Sequence, residues 1–151
     1  MTDNEFATYR DGRFSKILEF YDSRAITNQK RYHFCSMYVL VTSVAIAPIL
    51  AINLIAKNNG TIAAAILAPT VALANGIAAH FKFHDNWLSY RATWDALNHE
   101  LARRDAGIGP YQNASDRNAL FVERVEDLIT KEGSDWYSRQ SIEAPTKPKS
   151  R

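Results

Sequence analysis

The alternation of apolar and polar positions changes character twice along the chain. Over residues 11–36, Phe14, Leu18, Tyr21, Ala25, Asn28, Tyr32 and Cys35 recur at alternating steps of four and three. That spacing is a heptad seam on a helix. Residues 37–56 (MYVLVTSVAIAPILAINLIA) then lose their polar face for 20 residues. A helix of that length spans about 30 Å, the thickness of a bilayer core. Residues 61–81 (TIAAAILAPTVALANGIAAHF) repeat the pattern over 21 residues. Only Lys57-Asn58-Asn59-Gly60 separates the two runs, and so short a link makes them antiparallel neighbours. Over 82–106 the seam returns as Phe83, Trp87, Tyr90, Trp94, Leu97 and Leu101. Neither flanking stretch contains proline, so each helix is predicted to run unbroken from a polar stalk into its apolar span.

Gly107-Ile108-Gly109-Pro110 stops the second helix with glycine at C′ and a following proline. Ser115 or Asp116 can cap a third helix over about 116–139. Its apolar residues Leu120, Phe121, Val125, Leu128, Ile129 and Trp136 share one face, predicted to pack back on the stalk. The expected bundle core is Trp87, Tyr90, Trp94, Leu97, Leu101, Phe121, Leu128 and Trp136. Residues 1–10 read as a flexible N-terminus, and the Pro- and charge-rich 140–151 as a disordered tail. The predicted fold class is therefore an all-α membrane protein. Within 11–139, a two-span helical hairpin extends into a cytoplasmic stalk that carries a third helix.

Charge sharpens this picture. Charged residues are 23% of the chain, an ordinary share, yet Lys57 is the only one from Met37 to Phe81. A soluble hairpin would need polar faces on those helices. Arg24, Lys30 and Arg31 precede the first span, Lys82 and Arg91 follow the second, and the link has Lys57 alone. The bias puts both termini in the cytoplasm and the spans in the inner (plasma) membrane. Tyr32, Tyr38, Trp87 and Tyr90 fall near the inner boundary, where amphipathic rings are favoured. A net charge of +2 gives no field calling for nucleic acid. The single cysteine, Cys35, forms no internal disulfide, and the acidic N-terminus has no leader-like apolar core.

Several positions inside the spans are candidates for function. Ala64, Ala68, Ala72 and Gly76 recur every four residues and form a small-residue ridge, with a shorter one at Ser43, Ala47 and Ala51. Such ridges let helices approach closely in lipid, within the hairpin or between subunits. At least one of them is expected to pack within the hairpin. Pro48 and Pro69 fall at matching depth and free the carbonyls of Val44 and Ala65, making a tolerated kink or a paired gating point. Thr42, Ser43, Thr70 and Asn75 are candidates for pore lining or helix packing, with an Asn75–Ser43 hydrogen bond as one form of the latter. Asn53 lies nearer the outer end, within reach of headgroups. No acid or base sits mid-span, which argues against a proton-coupled transporter. His80 and His84 at i, i+4, near His33 and Cys35, could approach a metal. They lack a carboxylate to orient them, and no metal is expected.

No P-loop, GxGxxG, GxSxG or HExxH is present, and no nucleophile has a credible base, so neither an enzyme nor a cofactor is expected. The segments YDSRAITNQKRYHF, WLSYRATWDALNHELA and LFVERVEDLITKE, the last followed by Trp136, resemble the SLATT-type bacterial two-transmembrane family over about residues 17–136. The resemblance implies a pore-forming effector of prokaryotic stress or defence systems, often encoded beside nucleotide-signal synthases or sensors, and no catalytic residues. One hairpin cannot enclose a water path, so a homo-oligomer in the lipid bilayer is expected, with a cytoplasmic sensor or regulator as a possible partner. The alternative is a non-conducting anchor or scaffold that docks a soluble partner through its cytoplasmic helices. A third reading is an accessory transporter subunit.

Overall fold

A computed structural model describes residues 1–56 and 60–141. The link residues 57–59, Lys57 among them, and the tail from 142 onward lie outside the described residues, as do the side chains of Asn53 and Trp136. The described elements are helical, with no strand among them. They are α1 (Asp3–Tyr9), a π-helical stretch (Arg10–Phe14), α2 (Ser15–Ala56), α3 (Gly60–His80), α4 (Phe83–Ala106), a 3₁₀ turn (Gly109–Tyr111) and α5 (Arg117–Ser141). The chain divides into two compact units, one of residues 23–88 and one formed by 1–22 with 89–151.

The first helix departs from the expected flexible N-terminus. Thr2 and Glu5 form a reciprocal capping box. The Thr2 side chain accepts from the Glu5 amide at 3.3 Å, and Glu5 Oε2 accepts from the Thr2 amide at 2.7 Å. Two otherwise orphaned donors are satisfied, which lets a seven-residue helix persist. It also delivers Phe6 into the core, edge-on to Phe121 at 5.6 Å.

That core belongs to the bundle unit. Phe6, Phe14, Tyr21, Leu97, Tyr111, Phe121 and Val125 are buried, with Tyr90, Trp94, Leu101 and Leu128 packed against them. Each fully buried side chain of this size contributes roughly 1.5–3 kcal/mol. Helix α4 ends as expected. Gly107, at φ +64, donates to the Arg104 carbonyl at 3.1 Å, and Ile108 donates to that of Arg103 at 3.1 Å. This is the paired-bond C-terminal motif that requires a left-handed residue. Asp116 caps α5, its Oδ1 accepting from the amides of Asn118 at 3.0 Å and Ala119 at 2.9 Å.

The hairpin unit holds the two apolar runs. Helix α2 crosses from polar to apolar sequence without interruption, as predicted. The second arm does break: α3 stops at His80, α4 starts at Phe83, and Lys82 adopts φ +48. The Lys82 amide bonds Ala79 at 3.2 Å, a tightened last turn. The Phe81 carbonyl is taken by the Asn86 side chain at 3.0 Å. The break is therefore stabilised by a side chain five residues downstream rather than marked by glycine or proline.

Candidate functional site: the apolar hairpin

The arms of the hairpin unit meet along a heptad seam. On α2 the covered positions are Cys35, Tyr38, Val39, Thr42, Ala45, Ile46 and Ile49. On α3 they are Ala64, Leu67, Thr70, Val71, Ala74 and Ala78. Both sets repeat every 3.5 residues, which keeps facing side chains in register along two nearly antiparallel helices. A polar contact crosses the seam: the Tyr38 hydroxyl and Thr70 Oγ1 are 2.5 Å apart. Thr70 spends its own proton on the Leu67 carbonyl at 2.7 Å, so Tyr38 is the donor.

The four polar candidates divide two and two. Thr42 is buried in the seam and Thr70 is half-buried beside Tyr38. Ser43 and Asn75 are exposed on outward faces, and no hydrogen bond joins them. The small-residue ridge is also split. Ala64 is buried, whereas Ala68, Ala72 and Gly76 are exposed, and a Cβ added at Gly76 would meet nothing within 4 Å. Ser43, Ala47 and Ala51 are exposed as well. The expectation that one ridge packs within the hairpin is thus corrected. The reason is geometric: a strict four-residue step drifts about 40° per step around a 3.6-residue helix, so it leaves the seam.

Helix α3 accordingly presents two outward faces. One is large and aliphatic, with Ile62, Ile66, Leu73 and Ile77. The other is small or polar, with Ala65, Ala68, Ala72, Asn75, Gly76 and Ala79. Pro48 and Pro69 sit inside α2 and α3 and are exposed, as are Val44 and Ala65, whose carbonyls they free. Both helices are long and apolar enough to cross a membrane, and only 6% of the most apolar stretch of each is buried. A core helix of a soluble protein would be mostly covered.

At the base of the hairpin, aromatic and imidazole rings from both arms come together. Tyr32 lies 4.9 Å from the His84 ring and 6.4 Å from Trp87, and His33 lies 5.9 Å from Trp87. Trp87, expected in the bundle core, instead packs in this cluster within the hairpin unit, against Tyr32, His33 and His84. His80 and His84 do not share a helical face, since the break at Lys82 puts them on different helices. Among the described residues no group of three His, Cys, Asp or Glu side chains could hold a metal.

The bundle unit carries a polar network that the sequence pattern did not reveal. The Glu100 carboxylate is buried, accepts the Tyr111 hydroxyl at 2.6 Å and is paired with Arg124. Burial and the Glu100 charge both raise the Tyr111 phenol above its ordinary range. Glu100 and Arg124 line a cleft of about 440 Å³ whose walls also include His99, Arg103, Asp127 and Lys131.

The profile of a family described as proteins of unknown function, DUF4231, matches residues 16–119. The chain belongs to the DUF4231 family. The match takes in α2, α3, α4 and the 3₁₀ turn, so the hairpin and both its flanks are DUF4231 features. Helix α1 and nearly all of α5 lie outside the DUF4231 match. No curated protein and no solved structure matches the chain significantly.

Proposed function

We propose that this chain is a two-span membrane protein whose hairpins assemble with one another to form or gate a pore. The observation that carries the reading is the sorting of outward positions on α3. Large aliphatic side chains suit lipid tails, whereas the Asn75 amide and the carbonyl freed by Pro69 at Ala65 would be unsatisfied there. On this reading further copies or enclosed water cover the small, polar face. Ser43 and Asn75 line the path, while Thr42 and Thr70 hold the arms together. The charge bias across the link sets both termini in the cytoplasm of an inner (plasma) membrane. The resemblance to SLATT-type proteins supports an effector role in a prokaryotic stress or defence system, with opening controlled by a cytoplasmic sensor or regulator.

The test is ion or dye flux through liposomes containing the purified full chain, with Asn75→Leu and Ser43→Ala alongside. Flux in the unaltered protein that falls in Asn75→Leu is the expected result. Monomers that insert and give no flux with any cytoplasmic extract would sink the pore reading. A second reading, a non-conducting anchor, is favoured by a cleft of about 590 Å³ in the bundle unit, where Ile17, Phe20, Tyr21 and Ile129 are flanked by Arg13 and Lys16. Phe20 remains 48% exposed there. Capture of a specific soluble protein, lost on Phe20→Asp, combined with absence of flux would favour that reading.

A further inference from the structure

We propose that the base of the hairpin is a collar that binds anionic phospholipid headgroups, an inference that rests on the membrane reading above. Charge is the first argument. The hairpin unit carries Arg24, Lys30, Arg31, Lys57 and Lys82 against a single acid, Asp85, although the rest of the chain is net acidic. Arg24, Lys30, Arg31 and Lys82 lie at the base, within a few turns of the apolar runs. Asp85 is outnumbered by these cations, and its Oδ1 lies 3.4 Å from His84 Nδ1.

Ring placement is the second argument. The Phe81 and Phe83 rings stack at 5.6 Å and 6°, and the Arg31 guanidinium carbon lies 5.8 Å from the Phe83 centroid. Across the same level Tyr32 and Trp87 stack at 6.4 Å and 25°. Phe34 is 74% exposed and Phe81 55% exposed, beside the exposed Lys30 and Arg31. Large bare rings are unfavourable in water, and bare cations are unfavourable in hydrocarbon. They suit the headgroup layer, where rings bury their apolar faces and cations meet phosphate. The helix break at Lys82 falls at this level and sets a cation between Phe81 and Phe83. The complementary partner is a lipid surface of net negative charge, in preference to a zwitterionic one.

The test titrates the full chain in nonionic detergent with phosphatidylglycerol or phosphatidylcholine, read by tryptophan fluorescence. The chain is also floated with phosphatidylcholine vesicles, with and without about 30% phosphatidylglycerol. The expected result is a clear preference for phosphatidylglycerol that collapses in about 1 M salt. Each surface cation contributes roughly a fivefold preference, so Lys30→Gln with Arg31→Gln should lower it roughly twenty-five-fold. Lys16→Gln, in the bundle unit, should leave it unchanged. Equal affinity for both lipids at low salt overturns the collar, as does a folded double variant that keeps the preference. If the double variant loses helicity, the salt series on the unaltered chain decides. Flotation with neutral vesicles without a phosphatidylglycerol preference removes the collar and leaves the membrane reading standing. Flotation with neither removes both.

Discussion

The Tyr38 hydroxyl donates to Thr70 Oγ1 at 2.5 Å, and Thr70 passes the chain on to the Leu67 carbonyl at 2.7 Å. This is a polar tie between the arms of the hairpin, one turn from the buried Thr42. Interhelical hydrogen bonds between membrane helices contribute about 0.6 kcal/mol on average and up to about 1.7. Tyr38→Phe and Thr70→Val should each lower hairpin stability within that range. A double-mutant cycle in detergent should give a coupling of similar size. Strict additivity of the two changes would show that the contact contributes nothing.

Glu100 behaves differently, because it is buried and charged. Its partners are the Tyr111 hydroxyl at 2.6 Å and Arg124, with Arg103 more distant at 3.9 Å. Arg124→Met would leave the carboxylate largely uncompensated. Arg124 is itself partly exposed, which moderates the loss to about 2 kcal/mol. Replacing the set together, as Glu100→Leu, Tyr111→Phe and Arg124→Met, removes every orphan and should recover most of that stability. Denaturant midpoints of the full chain separate the cases. A triple variant weaker than Arg124→Met alone would contradict the account.

Acid and alkali should each weaken the bundle for a different reason. Arg13 donates twice to Glu126, from Nε and from Nη2, each at 2.8 Å, and these bonds hold the Glu126 carboxyl below its usual range. A lowered folded pKa stabilises the fold above the ordinary carboxylate value of about 4.3, and that stability is lost as pH falls through the folded value. Burial pushes Tyr9 and Tyr21 up to about 12. Their neutral form is then favoured in the folded state, and stability falls as pH rises from about 10 toward that value. Thermal melts across pH should therefore show a plateau with losses at both ends. Glu126→Gln should flatten the acid limb modestly, since the pair is open to solvent. An unchanged acid limb in that variant would remove Glu126 from the explanation.

What could be read from the sequence was what local signals encode. The heptads through Phe14, Tyr21, Phe83 and Leu97 became buried positions, and Gly107 and Asp116 terminate and cap helices as their types dictate. The Thr2–Glu5 capping box was equally visible, but a helix with one core residue, Phe6, leaves no periodicity to notice. The seam inside the apolar runs was hidden because helices apolar all round carry no polar contrast. Thr42 continues the seam of Cys35 and Val39, yet beside Ser43 nothing in composition told the covered hydroxyl from the bare one. Glu100 has the look of surface charge until Tyr111 arrives from a turn eleven residues later.

The break at Lys82 gives the most direct pair of opposed predictions. A lysine at φ +48 holds a left-handed conformation that costs a side-chain-bearing residue roughly 1–2 kcal/mol relative to the right-handed helix. Glycine adopts that conformation without the clash, at some entropic cost in the unfolded chain. Lys82→Gly should therefore stabilise the hairpin by about 0.5–1 kcal/mol. Asn86→Ala should act the other way, by about 1 kcal/mol, because it removes the donor that satisfies the Phe81 carbonyl at 3.0 Å. Thermal midpoints in detergent, with helicity followed by circular dichroism, measure both changes. If the turn is imposed by these two residues, the signs oppose and helicity is unchanged in Lys82→Gly. A gain of helicity in Asn86→Ala, with no loss of stability, would mean that α3 and α4 prefer to run straight and that Asn86 does not hold the break.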